Sequence, residues 1–75
     1  MAINESLSGE RLIRLPEVMR MVSLGRSRLF ELQKLGRFPL RVRLSERASA
    51  YVESEILEWI AQRIAERDAK LGDAA

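Results

Sequence analysis

The sequence predicts an α+β domain, mainly α-helical, with two short helices, a two-stranded β-hairpin and a long C-terminal helix. Apolar residues recur at helical spacing in three segments, residues 40–44 alternate between apolar and polar, and Gly25, Gly36 and Pro39 separate the first three of these segments. A chain of 75 residues, 47% of them hydrophobic, is long enough for one globular domain and too short for two. We expect a flexible leader over residues 1–10, the domain over 11–69 and a flexible tail over 70–75.

The first helix is predicted over about residues 16–22. Pro16 suits the first helical position, and the carboxylate of Glu17 suits the positive end of the helix dipole. Val18 and Val22 are four residues apart, so both are expected on the inner face of this helix.

The second helix is predicted from Arg26 to Leu35, after a tight connection at residues 23–25 whose last residue, Gly25, serves as the N-cap. Gly36 ends the helix, since glycine readily adopts the left-handed conformation found after a helix C-terminus. Leu29 and Leu32 are predicted to face inward. The residues predicted to face outward or to flank the first turn are polar, basic or aromatic: Arg26, Ser27, Arg28, Phe30, Glu31 and Lys34.

A β-hairpin is predicted next. Residues 40–44 alternate strictly, with apolar side chains on one face and two arginines on the other. Residues 45–47 form a candidate turn, and residues 48–52 return as the second strand. The pattern leaves open whether Tyr51 or Val52 faces the core.

The third helix has the clearest apolar stripe of the sequence. The stripe consists of Ile56, Trp59, Ile60 and Ile64. Carboxylate and glutamine side chains occupy the outer face, from Glu53 to Glu66. We predict that Trp59 lies at the centre of the core and that this stripe is used within the domain, which favours a monomer.

The charges are distributed unevenly. Residues 14–47 carry nine basic and three acidic side chains, a net charge of +6. Residues 48–75 carry three basic and six acidic side chains, a net charge of −3. Such a division indicates that one side of the domain meets a polyanion while the other faces water.

Several classes of function are disfavoured by what the sequence lacks. It contains no cysteine and no histidine, which argues against disulfides, thiol chemistry, the usual zinc sites and the commonest general base. It has no glycine-rich phosphate loop and little room for a deep pocket, so we predict a protein that is not an enzyme and uses no metal, cofactor or small-molecule substrate. The absence of a long apolar run predicts no membrane association and a cytoplasmic location.

Two short helices joined by a glycine-containing turn are typical of a helix-turn-helix, which places its second helix in the major groove of DNA. The outward residues of the second helix can bind base edges and phosphates, and the hairpin adds arginines beside them. The sequence therefore predicts double-stranded DNA as the partner.

Residues 11–68 resemble the AlpA-like prophage regulators, which are related to excisionases and to the N-terminal domains of MerR-type regulators. The resemblance is carried by RLIRLPEV at 11–18, GRSRLFEL at 25–32, GRFP at 36–39 and ESEILEWIAQRIAERD at 53–68. It implies a winged helix-turn-helix that binds DNA near prophage or genomic-island genes. The family acts as transcriptional activators of integration or excision functions, or as excision factors.

The resemblance also implies a set of DNA-binding residues. Those on the recognition helix are Arg26, Ser27, Arg28, Phe30, Glu31 and Lys34, and those in the wing are Arg41, Arg43 and Arg47. The family commonly has serine at the position of Gly25, threonine at that of Arg28 and tyrosine at that of Phe30, so the base preference and one phosphate contact are expected to differ here.

Several alternatives stay open at this point. Phe30 either contacts DNA or packs under the hairpin, and the stems of Arg41 and Arg43 either cover the sheet or reach DNA. The function is either transcriptional regulation or the architectural role of an excision factor, with possible cooperative self-association on DNA. A protein-interaction module is a third reading, but the outer face of the third helix is mainly polar.

Overall fold

Three helices pack around a small antiparallel sheet in residues 10–74, the part of the chain that the computed structural model describes. The elements are β1 (Leu12–Ile13), α1 (Leu15–Val22), α2 (Arg26–Lys34), β2 (Val42–Ser45), β3 (Ala48–Val52) and α3 (Glu53–Ala74). The predicted α+β, mainly helical, winged helix-turn-helix is confirmed. Residues 1–9 of the expected leader lie outside the described residues.

Helices α1 and α2 are joined by a sharp turn at residues 23–25. Ser23 adopts a left-handed conformation with φ of 58°, and its N–H donates a hydrogen bond of 2.9 Å to the carbonyl of Met19. This bond satisfies one of the last carbonyls of α1. Gly25 is extended and serves as the N-cap of α2, as predicted, without a side-chain hydrogen bond.

The end of α2 confirms the predicted role of Gly36. This residue has φ of 74°, its N–H donates to the carbonyl of Gln33 at 3.0 Å, and the N–H of Arg37 donates to that of Leu32 at 2.8 Å. The pair of bonds is a Schellman motif, which closes the helix and turns the chain sharply. The chain therefore leaves α2 in a fixed direction toward the hairpin.

The sheet has three strands rather than the predicted two. The strand order is β1-β3-β2, and β1 pairs with β3 through Leu12 opposite Val52 and Ile13 opposite Tyr51. Sequence periodicity could not reveal β1, because two residues are too short to show an alternation. The pairing places Ile13 in the core and ties the start of the domain to the end of the hairpin.

Strand β2 is an edge strand that begins at Val42, two residues later than predicted. Its pairing with β3 is irregular between Arg43 and Ser45, and all four of its residues are exposed. The apolar side chains of the predicted alternation also stay largely uncovered, with Leu40 69% exposed. The packing explains this: β3 lies against α1 and α3, whereas β2 projects beside it as the outer strand of the wing.

The core lies where β1, β3, α1, α2 and α3 meet. Its buried cluster consists of Ile13, Val18, Leu29, Phe38, Tyr51 and Ile56. Tyr51 is buried in the core whereas Val52 is only half-buried, which answers the question that the sequence left open.

Trp59 does not lie at the centre of the core, so that prediction was wrong. The residue is half-buried at the rim, where its ring meets that of Phe38 edge-on at a centroid distance of 5.0 Å. Its Nε1 donates a 2.8 Å hydrogen bond to the carbonyl of Arg37. A tryptophan with a hydrogen-bonded N–H is suited to such a boundary between core and surface. Trp59 therefore holds the connection that follows α2 against α3.

Helix α3 extends past the body of the domain, which corrects the prediction made for Ile64. Ile64, placed by the sequence in the core stripe, is 46% exposed, and the helix continues to Ala74 through the segment expected to be a loose tail. Every residue from 61 to 71 except Arg63 is exposed. The C-terminal part of α3 therefore extends beyond the elements against which it could pack. Within residues 10–74, none of the helices has the length and apolar character needed to cross a bilayer.

Candidate nucleic-acid interface

Helix α2 carries its candidate DNA-binding residues on an exposed face. The exposed residues are Arg26, Ser27, Arg28, Phe30, Glu31 and Lys34. On the opposite side Leu29 is fully buried, and it anchors the helix to the core. Helical spacing thus places the buried anchor and the polar surface on one rigid element, as the sequence predicts.

The cations of α2 differ in what they contact. Arg28 Nη1 lies 2.8 Å from Glu31 Oε1, and both side chains are more than half exposed. Such a surface ion pair contributes at most about 1 kcal/mol, so phosphate or a base edge can displace it. The side chains of Arg26 and Lys34 form no hydrogen bond or ion pair with any residue between 10 and 74. These two cations are therefore available to a ligand without breaking an existing interaction.

Phe30 is a surface residue and does not pack under the hairpin core. It is 36% exposed and lines a cleft between α2 and the chain that enters the wing. Leu40 and Arg41 form the opposite wall of this cleft. An exposed aromatic ring flanked by Lys34 and Arg41 can contact an apolar group, such as a thymine methyl, while the cations meet phosphates.

The three arginines assigned to the wing occupy different positions. Arg41 precedes β2, Arg43 lies within it and Arg47 lies in the turn between β2 and β3. Arg43 Nη1 donates to the carbonyls of Ser45 at 3.5 Å and Glu46 at 3.1 Å, so this side chain holds the turn. The side chain of Arg47 is exposed and has no hydrogen bond or ion pair to the described residues. Arg41 and Arg43 are both exposed, so neither side chain is buried against the sheet.

The cleft brings together some of the candidate residues and not others. Those lining it are Ser27, Phe30, Glu31, Lys34 and Arg41. Arg26, Arg28, Arg43 and Arg47 lie outside it. The candidate interface therefore consists of a central cleft, with further cations at the start of α2 and on the wing.

Two residues of the cleft region were not predicted from the sequence. The hydroxyl of Tyr51 donates a 3.1 Å hydrogen bond to Gln33 Oε1, and Gln33 Nε2 donates a 3.4 Å bond to the carbonyl of Pro39. Burial raises the pKa of Tyr51 above its usual value, and the nearby charge of Arg41 and the bond to Gln33 offset part of this rise. The sequence held no signal for a contact between residues 18 positions apart.

The acidic residues of the negative half of the chain lie on helix α3. Glu55, Glu58 and Glu66 line a separate groove, which runs between α3 and the chain from Gly36 to Val42. No cluster of acidic side chains in residues 10–74 is arranged to hold a metal ion. The uneven charge of the sequence thus becomes a cationic surface on α2 and the wing and an acidic surface on α3.

Comparison with known proteins agrees with the family resemblance seen in the sequence. Residues 11–64 match the family model described as the prophage CP4-57 regulatory protein, AlpA. The chain is also 43% identical over 61 residues to an uncharacterized protein, ORF88, of Enterobacteria phage P4. That match covers 81% of this chain and 69% of the phage protein.

Proposed function

Because the chain belongs to the AlpA family of prophage regulatory proteins, we propose that it is a sequence-specific DNA-binding regulator of transcription. Its targets would be prophage or genomic-island genes for integration or excision. The observation that carries this proposal is the exposed face of α2. The side chains of Arg26 and Lys34 have no ion pair there with the described residues, and Lys34 lines a cleft whose other wall includes Arg41.

In this proposal α2 enters the major groove and the wing follows the adjacent backbone. Arg26 and Arg28, near the helix N-terminus, are placed to donate two hydrogen bonds to a guanine or to bind phosphate. Lys34 and Ser27 bind phosphates along the cleft. Arg47 reaches the backbone or the minor groove from the wing turn. The regulator would work in the cytoplasm, and the binding reaction requires no cofactor, metal, small-molecule substrate or catalytic step.

The architectural role of an excision factor uses the same surface, so it is retained as the alternative within this proposal. It differs in what happens to the DNA. An excision factor is expected to bend its site, whereas a regulator need not. Cooperative self-association on DNA is compatible with either role. It is expected to give a steeper binding curve with duplexes that carry two adjacent sites than with duplexes that carry one.

Alanine variants test whether α2 recognises the base sequence while the wing binds the DNA backbone. Arg26→Ala or Arg28→Ala should weaken discrimination between the cognate site and a point-mutated site by about 1–3 kcal/mol, because a base contact carries sequence information. Arg47→Ala should weaken binding to cognate and random duplexes by a similar factor and reduce the salt slope by about one. Titrations of each variant against the three duplexes measure both effects.

Arg67→Ala is the matched control for these titrations. Arg67 is an exposed arginine of α3 that pairs with Asp68 at 2.9 Å, on the helix that carries the acidic surface. Arg67 is already paired with Asp68 and does not line the cleft, so Arg67→Ala should leave DNA binding unchanged at physiological salt, where exposed charges are screened over about 8 Å. Folding stability should change by less than about 0.5 kcal/mol in all four variants. Uniform losses in both helix variants, combined with relaxed base preference in Arg47→Ala, would reverse the assigned roles.

A further inference from the structure

The connection from α2 to the wing, residues 35–40, is held by contacts of three consecutive residues, Arg37, Phe38 and Pro39. The carbonyl of Arg37 accepts the hydrogen bond from Trp59, and the ring of Phe38 packs edge-on against those of Trp59 and Tyr51. The carbonyl of Pro39 accepts a bond from Gln33. Arg41 follows two residues after Pro39, so these contacts fix the part of the backbone from which its side chain extends.

The hydroxyl of Tyr51 is the part of this arrangement that packing alone does not require. The ring is buried, and a phenylalanine ring would fill the same space. The hydroxyl instead reaches across to Gln33 on α2, while Arg41 lies beside it. A buried hydroxyl is costly without a partner, and its bond joins β3 to the recognition helix directly below the cleft.

We infer that Tyr51 and Gln33 are positioning residues for DNA binding, which hold Arg41 opposite Lys34 so that one phosphodiester strand is seated in the cleft between them. This inference rests on the proposed function. It means that Tyr51 and Gln33 strengthen DNA binding without having to touch DNA themselves. Lys34 and Ser27 belong to the helix wall of the cleft and Arg41 to the wing wall. Only a fixed distance between the walls lets both cations meet phosphates of the same strand.

A double-mutant cycle distinguishes positioning from a purely structural role. Tyr51→Phe should weaken DNA binding by about threefold to tenfold, as expected for coupled neighbours. In the Arg41→Ala background the same change should have almost no further effect, because the cation that it positions is absent. Ile56→Val is the control, since it trims a buried residue of α3 that neither pairs with Tyr51 nor lines the cleft, and it should lower stability without lowering affinity. The affinities are measured by titration of a labelled duplex, with urea unfolding of each variant.

Two results of the cycle would overturn the inference. One is wild-type affinity in Tyr51→Phe, and the other is an equal loss with and without Arg41. A wild-type protein that binds no duplex would overturn the proposed function and the inference with it.

A titration without DNA tests the underlying geometry separately. Tyr51 is the single tyrosine of the chain, so its ionisation can be followed by near-ultraviolet absorbance at pH values where the far-ultraviolet circular dichroism is unchanged. Arg41→Ala should raise the pKa of Tyr51, because the guanidinium favours the ionised form. Arg43→Ala should leave that pKa unchanged, since Arg43 is bound to the turn carbonyls. An unchanged pKa in Arg41→Ala would show that Arg41 does not lie beside Tyr51 and would overturn the inference whatever the DNA result.

Discussion

Raising the salt concentration from about 50 mM to about 200 mM is expected to weaken DNA binding about a thousandfold. Six candidate cations lie exposed on α2 and the wing: Arg26, Arg28, Lys34, Arg41, Arg43 and Arg47. If about five or six phosphates are neutralised, their counterions are released and log K falls against log salt with a slope near −5. Anisotropy titrations of a labelled duplex at several salt concentrations measure this slope. A slope shallower than about −2 would mean that this cationic surface is not where DNA binds.

Leu29→Ala is expected to cause the largest loss of stability among single substitutions in α2. Leu29 is 0% exposed, and truncating a buried leucine costs about 2–5 kcal/mol, partly because a cavity remains. A domain of this size has a total free energy of unfolding of about 4–11 kcal/mol, at about 0.05–0.15 kcal/mol per residue. The variant should therefore lose much of its stability and, with it, the surface that α2 presents.

Leu35→Ala supplies the matched control on the same stretch of chain. The chemical change is identical, but Leu35 is 61% exposed at the C-cap of α2. Its substitution should alter the free energy of unfolding by less than about 0.5 kcal/mol. Urea unfolding followed by circular dichroism compares the two variants. Equal midpoints for both would contradict the position of Leu29 in the core.

Local signals in the sequence predicted the helices well. Pro16, Gly25 and Gly36 suit the backbone conformations found at helix ends. Such conformational preferences depend on only a few neighbouring residues, so they can be seen in the sequence. The predicted turn at residues 23–25 and the predicted end of α2 therefore agree with the structure. The same periodicity placed the candidate DNA-binding residues of α2 on its exposed face, since residue spacing determines the face on a regular helix.

Features that depend on packing between distant elements could not be predicted. Strand β1 exists because its two residues pair with β3, nearly forty residues away, and not because of a local pattern. The exposure of Ile64 depends on how far α3 extends past the sheet, which its own sequence does not encode. The link between Tyr51 and Gln33 likewise requires the hairpin and α2 to be packed together first.

The most direct measurement is the recovery of bound fragments from the host genome. Sheared genomic DNA is incubated with the purified protein at physiological salt, and the retained fragments are sequenced. Fragments that share a short motif, lie near integration or excision genes and bind about 10³-fold or more tighter than random duplex are the expected result. Retained fragments without a shared motif, bound no more tightly than random duplex, would contradict sequence-specific binding by α2 and the wing.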